Sequence, residues 1–119
     1  VKDEEKLHQM YAGYVYINLC YKARKGYQLV YIKKAEMDRF KSATKKIEEK
    51  YIEKAPHLKI SKDRIWKKAS IEATKNLDYL PTVDYAAGKE VCDNMNFIYS
   101  SFVAGEGITP TGEVIEKDF

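Results

Sequence analysis

Four stretches in which apolar residues recur at intervals of three and four, punctuated by Gly26, Pro56, Pro81 and Gly105, constrain this chain more than any other feature. Each reads as an amphipathic helix that buries one stripe and wets the other. Such helices bury their stripes most simply against one another, so the expected fold is all-α, a small bundle of about four helices. With 119 residues the chain has length for one domain. The helical bundle is expected to occupy residues 1–104, and residues 105–119, GEGITPTGEVIEKDF, to form an irregular C-terminal tail because they carry turn residues and no helical period.

The first helix is expected over about Asp3 to Lys25. Acidic residues Asp3, Glu4 and Glu5 oppose the positive end of its dipole, Lys22, Arg24 and Lys25 the negative end, and Gly26 supplies the stop. Leu7, Met10, Tyr14, Ile17 and Tyr21 form one stripe, while Tyr11, Val15 and Leu19 continue round a second side, which marks the most buried helix. Gly13 and Cys20 lie beside the stripe and let a neighbour come close. The second helix runs from about Lys34 to Lys54 with Met37, Phe40, Thr44, Ile47 and Tyr51 inward. A third is expected from an N-cap at Ser61 to Leu80, and a fourth from near Thr82 or Asp84 to Gly105 with Ala87, Val91, Met95, Ile98 and Phe102 inward. Ile17, Phe40, Ile47, Trp66, Val91 and Ile98 are thus expected core residues. Tyr27 to Ile32, YQLVYI, has strand-like composition but no second strand to pair with, and is expected to be an extended connector or an early start of the second helix.

Charge is unevenly spread. Residues 22–75 carry 17 basic and 7 acidic side chains, whereas residues 76–119 carry 2 basic and 8 acidic, within a net charge of +3. A basic middle admits an anionic partner, but the reading preferred is a solvated lysine surface balanced by the acidic end. Only three of the 21 basic residues are arginine (Arg24, Arg39, Arg64), which weighs against nucleic acid, since phosphate and base recognition favour the guanidinium fork. The longest apolar run, Met10 to Tyr21, has twelve residues broken only by Asn18, too few for the ~20 of a membrane-spanning helix.

Catalytic and metal motifs are sparse. Glu5 and His8 make one Glu-x-x-His, but the other histidine, His57, has Lys54 three positions before it, so no second half of a di-metal centre exists and the pair reads as a surface contact. There is no Cys-x-x-Cys, phosphate-binding glycine loop or nucleophile elbow. The expectation is a non-enzymatic protein without metal or cofactor.

Two features remain. Cys20 and Cys92 fall late in the first helix and midway along the fourth, which are commonly neighbours in a four-helix arrangement, so a disulfide is expected and with it a periplasmic or secreted location. Two free thiols would instead point to the cytoplasm. Ten residues are tyrosine, six of them within 21 positions, and on one helix they cannot all face one core, since Tyr16 points about 200° away from Tyr14 at ~100° per residue. Tyr16, Tyr27 and Tyr31 are therefore candidate contacts with a protein partner. The alternative is a small-ligand carrier with a Tyr- and Met-lined pocket between helices.

Overall fold

An α-helix that is apolar on nearly every side has to lie in the middle of a small protein, and the first helix does. In the computed structural model, which describes residues 2–108, α1 spans Lys2–Ala23 and packs against α2 (Lys34–Lys54), α3 (Leu58–Asn76) and α4 (Tyr85–Gly105), with α3 as its most extensive neighbour. Leu7, Met10, Tyr11, Val15, Ile17 and Cys20 are all buried, and they point in several directions around the helix. The three outer helices touch one another sparingly. The molecule measures 44 × 33 × 19 Å, so it is only about two helix diameters thick and leaves broad faces in water. The described residues contain four α-helices, one short 3₁₀ turn at Leu80–Thr82 and no strand, and no helix is long and apolar enough to cross a membrane.

Two boundaries differ from the sequence reading. α3 begins at Leu58 rather than at Ser61. Leu58 is buried and its amide closes a tight turn onto the carbonyl of Ala55, so burial starts the helix a turn before the polar cap residue. At its other end α3 stops at Asn76, and Pro81 sits in the separate 3₁₀ turn. α4 starts where expected, with the Asp84 carboxylate accepting a hydrogen bond from the Ala87 amide at 2.8 Å.

α4 is also rotated from its expected orientation. Its buried line is Gly88, Cys92, Tyr99 and Val103, one residue on from the Ala87, Val91, Ile98 stripe read from the sequence. Ile98 is consequently 53% exposed, not core. The cause is local. Cys92 is tied to α1, and Gly13 of α1 leaves the space filled by the Tyr99 ring, where a Cβ would lie 2.7 Å from the nearest ring carbon. The Tyr99 hydroxyl then reaches across to Thr44 of α2 in a buried hydrogen bond. Trp66 is likewise 38% exposed: α3 buries Ile65, Ala69 and Ala73, which leaves the indole at the rim, edge-on to Tyr11 at 5.1 Å.

The end of α4 is held on α2 by Glu106, whose carboxylate accepts hydrogen bonds from Lys50 Nζ at 2.9 Å and Tyr51 Oη at 2.7 Å. Burial alone would raise the Glu106 carboxyl, but these hydrogen bonds and the Lys50 charge outweigh it and hold it below the usual glutamate value. Ile108 follows and is buried. The remainder of the expected tail, 109–119, lies outside the described residues.

Candidate interaction surface

The connector between α1 and α2 has neither helical hydrogen bonding nor a strand partner, so its order has to come from side chains. Arg24 supplies it. At the end of α1 the chain turns through Gly26, whose φ of +88° suits a residue without a Cβ. Arg24 Nε donates a 2.6 Å hydrogen bond forward to the Leu29 carbonyl. Its guanidinium carbon lies 4.7 Å from the Tyr27 ring centre and 4.9 Å from that of Tyr85 at the start of α4. With the Tyr31 ring centre at 5.8 Å as well, one arginine joins the end of α1, the connector and α4 through a hydrogen bond and three cation–π contacts.

Beneath it, Tyr31 acts as an anchor. Its ring stacks on Tyr85 at 5.5 Å between centres and lies over Gly88, where any Cβ would collide with the Tyr31 hydroxyl end. Tyr31 and the following Ile32 are buried. Anchored at both ends, the connector displays Tyr27 at 62% exposure and Leu29 at 57%. Exposed apolar side chains on a chain segment held this way are what a contact surface requires, because little conformational freedom remains to be lost on binding.

The three tyrosines singled out from the sequence therefore occupy three different settings. Tyr27 is displayed, Tyr31 is packed under the connector, and Tyr16 is half-buried on the α3 side, where its hydroxyl accepts a 2.8 Å hydrogen bond from Asn76 Nδ2. Tyr16 and Tyr27 are not brought together. Leu29 and Arg24 were missed in the sequence, although an arginine in a chain that otherwise prefers lysine, placed three residues before a tyrosine, is a signal of stacking. The flanking sequence is basic, although Lys34 is paired with Asp38 and Asp84 precedes Tyr85. No Asp or Glu occurs between Lys6 and Ala35, while Lys22, Arg24, Lys25, Lys33 and Lys34 flank the connector.

The other expected features fall as follows. Cys20 and Cys92 are joined in a disulfide with their Cα atoms 5.8 Å apart, both fully buried, linking α1 to α4 just beneath the connector. His8 approaches Glu72 of α3 at 3.1 Å instead of Glu5, because α3 packs along that side of α1. Among the described residues no group of three His, Cys, Asp or Glu is placed to hold a metal ion. Tyr11 donates its hydroxyl to Glu48, and burial followed by that carboxylate pushes its ionisation well above the ordinary tyrosine value, so it stays a neutral donor.

Compared with known proteins, the chain matches no family model, no curated protein and no solved structure. Its functional reading is built from its own side chains.

Proposed function

We propose that this protein is a non-enzymatic interaction protein, an accessory subunit or inhibitor-like partner of a larger protein, and that the connector between α1 and α2 is its contact surface. The observation that supports this is the pair Tyr27 and Leu29, exposed on a segment that Arg24 and Tyr31 hold in place. The basic residues around it fit an acidic protein surface bearing an apolar recess for the two side chains. A buried disulfide suits an oxidising compartment, and we place the protein in the periplasm or outside the cell on that ground.

The test is recovery of the partner from the source cell with tagged protein, followed by affinity measurement. Tyr27→Ala and Leu29→Ala are each expected to leave folding intact and to weaken binding by roughly 30-fold, the scale of an interface hot spot. Rising salt should weaken the wild-type complex further as the basic rim is screened. Ile60→Ala, on the outer face of α3, should bind as wild type. A partner that binds all three variants equally places the contact elsewhere.

A small-ligand carrier is the second reading, and one groove favours it. Between α2 and α3 lies a space of about 250 Å³ lined by Tyr11, Tyr14 and Trp66, with Lys41, Lys45 and Lys62 and the carboxylates Glu48 and Asp63 among its walls. It is aromatic as expected for a carrier, but contains no methionine; Met10 and Met37 are in the core. With Lys62 paired to Glu48, the remaining Lys41 and Lys45 outweigh Asp63, so the aromatic walls suit a planar anion. Trp66 is the single tryptophan, so a seated ligand would change the protein's indole emission. Constant emission across a panel of aromatic carboxylates would remove this reading.

A further inference from the structure

The charged residues of α4 end at Asp93. From Asn94 to Gly105, NMNFIYSSFVAG, the helix carries no charge over about 18 Å of its length, yet among the described residues nothing packs over its outward face. Phe97 stands at the centre of that face, 72% exposed, with Ser100, Ser101 and Ala104 around it also exposed. Directly beside Phe97, α2 and α4 diverge to leave a cleft of about 170 Å³ whose apolar lining comes from Phe40, Ala43, Val103, Ala104 and Ile108. An engineered apolar cavity of about 150 Å³ accommodates benzene, so this cleft can take a phenyl ring. Its polar lining is Glu36, Arg39, Asn96 and Ser100; Asn96 Nδ2 donates to Glu36 at 3.0 Å and Ser100 Oγ to Asn96 Oδ1 at 3.1 Å, and the Arg39 side chain is exposed to water.

From this knob and cleft we infer that the exposed face of α4 binds a second copy of this chain, Phe97 of each copy entering the α2–α4 cleft of the other. Two arguments select that occupant. A projecting ring and a receptive cleft adjacent on one face become mutually complementary when a two-fold axis passes between them, whereas the same features on opposite faces would string copies into an open chain. Charge points the same way. Identical copies meeting through the lysine-bearing outer faces of α2 or α3 would oppose like charges, whereas the segment from Asn94 to Gly105 brings none and the α2 wall of the cleft brings one of each sign, Glu36 and Arg39. The patch is one short helix face, smaller than the ~800 Å² per partner of a standard stable interface, so the dimer is weak, with a dissociation constant on the order of 100 μM.

Sedimentation equilibrium of the full chain between about 10 μM and about 1 mM spans that range. The expected result is a reversible monomer–dimer equilibrium for the wild type. Phe97→Glu, which removes the knob, and Ala104→Trp, which fills the cleft, are each expected to weaken it at least tenfold, roughly the loss of one good interfacial anchor. Both positions are exposed, and thermal melts of dilute protein should show both variants folded as wild type. A wild-type chain that stays monomeric up to the highest concentration overturns the inference and leaves the cleft to residues 109–119 or to a foreign segment. A dimer that both variants retain with unchanged affinity overturns it as well.

Discussion

Reducing the disulfide between Cys20 and Cys92 is expected to lower the unfolding free energy by up to roughly 4 kcal/mol, because the bond closes a long loop and removes much of the freedom of the unfolded chain. The two residues are 72 positions apart. For a domain of this size that corresponds to a fall in melting temperature of about 10 to 20 °C. The structure gives the loss a location. α4 is held mainly on α1, with limited packing on α2, so the bond is a principal attachment of the whole helix. Hydrogen exchange on reduced protein should therefore show the amides of Tyr85–Gly105 losing protection before those of α1 and α3. Two thiols that titrate freely in freshly isolated native protein, or a melt that reductant leaves unchanged, would contradict both the stabilising role and the oxidising compartment proposed from it.

The second large effect is expected at the centre of α1. Ile17→Ala should cost roughly 2 to 5 kcal/mol, the range for emptying a filled core site, since Ile17 is fully buried in the helix against which all the others pack. A cost of that size approaches the whole margin of a small domain. Ile98→Ala is expected to differ sharply, changing stability by no more than about 0.5 kcal/mol in dilute solution, because the side chain is mostly in water. The pair of melts checks the rotation of α4 directly. Equal losses at Ile17 and Ile98 would return α4 to the orientation that its 3-4 periodicity suggests.

The contrast between those residues shows where periodicity is sufficient. In α2 the apolar positions Met37, Ile47 and Tyr51 stand among lysines and glutamates, so only one rotation of the helix hides them, and all three are buried. In α4 almost every position after Asp93 is apolar or small, so several rotations hide a similar area and the stripe alone does not choose among them. The disulfide at Cys92 and the gap at Gly13 choose, and both act through a neighbouring helix. The connector is similar. Its order depends on Arg24 reaching Tyr85, sixty-one positions away along the chain, and a window of local sequence holds no trace of that distance. Hence Tyr16, Tyr27 and Tyr31 look alike in the sequence and differ in the fold.

Composition, period and punctuation by themselves determined that this chain is helical, that α1 is central, where α2 lies, and that two cysteines fall on helices able to meet. These depend on neighbours within a few turns, where geometry is dictated by the 3.6-residue repeat and by glycine and proline. Only the tertiary structure decided which side of α4 faces water, which tyrosine is displayed and which is buried, and that Phe97 stands beside an apolar cleft. Those outcomes depend on pairs of side chains far apart in sequence, whose contacts compete in energies of about 1 kcal/mol that no local pattern encodes.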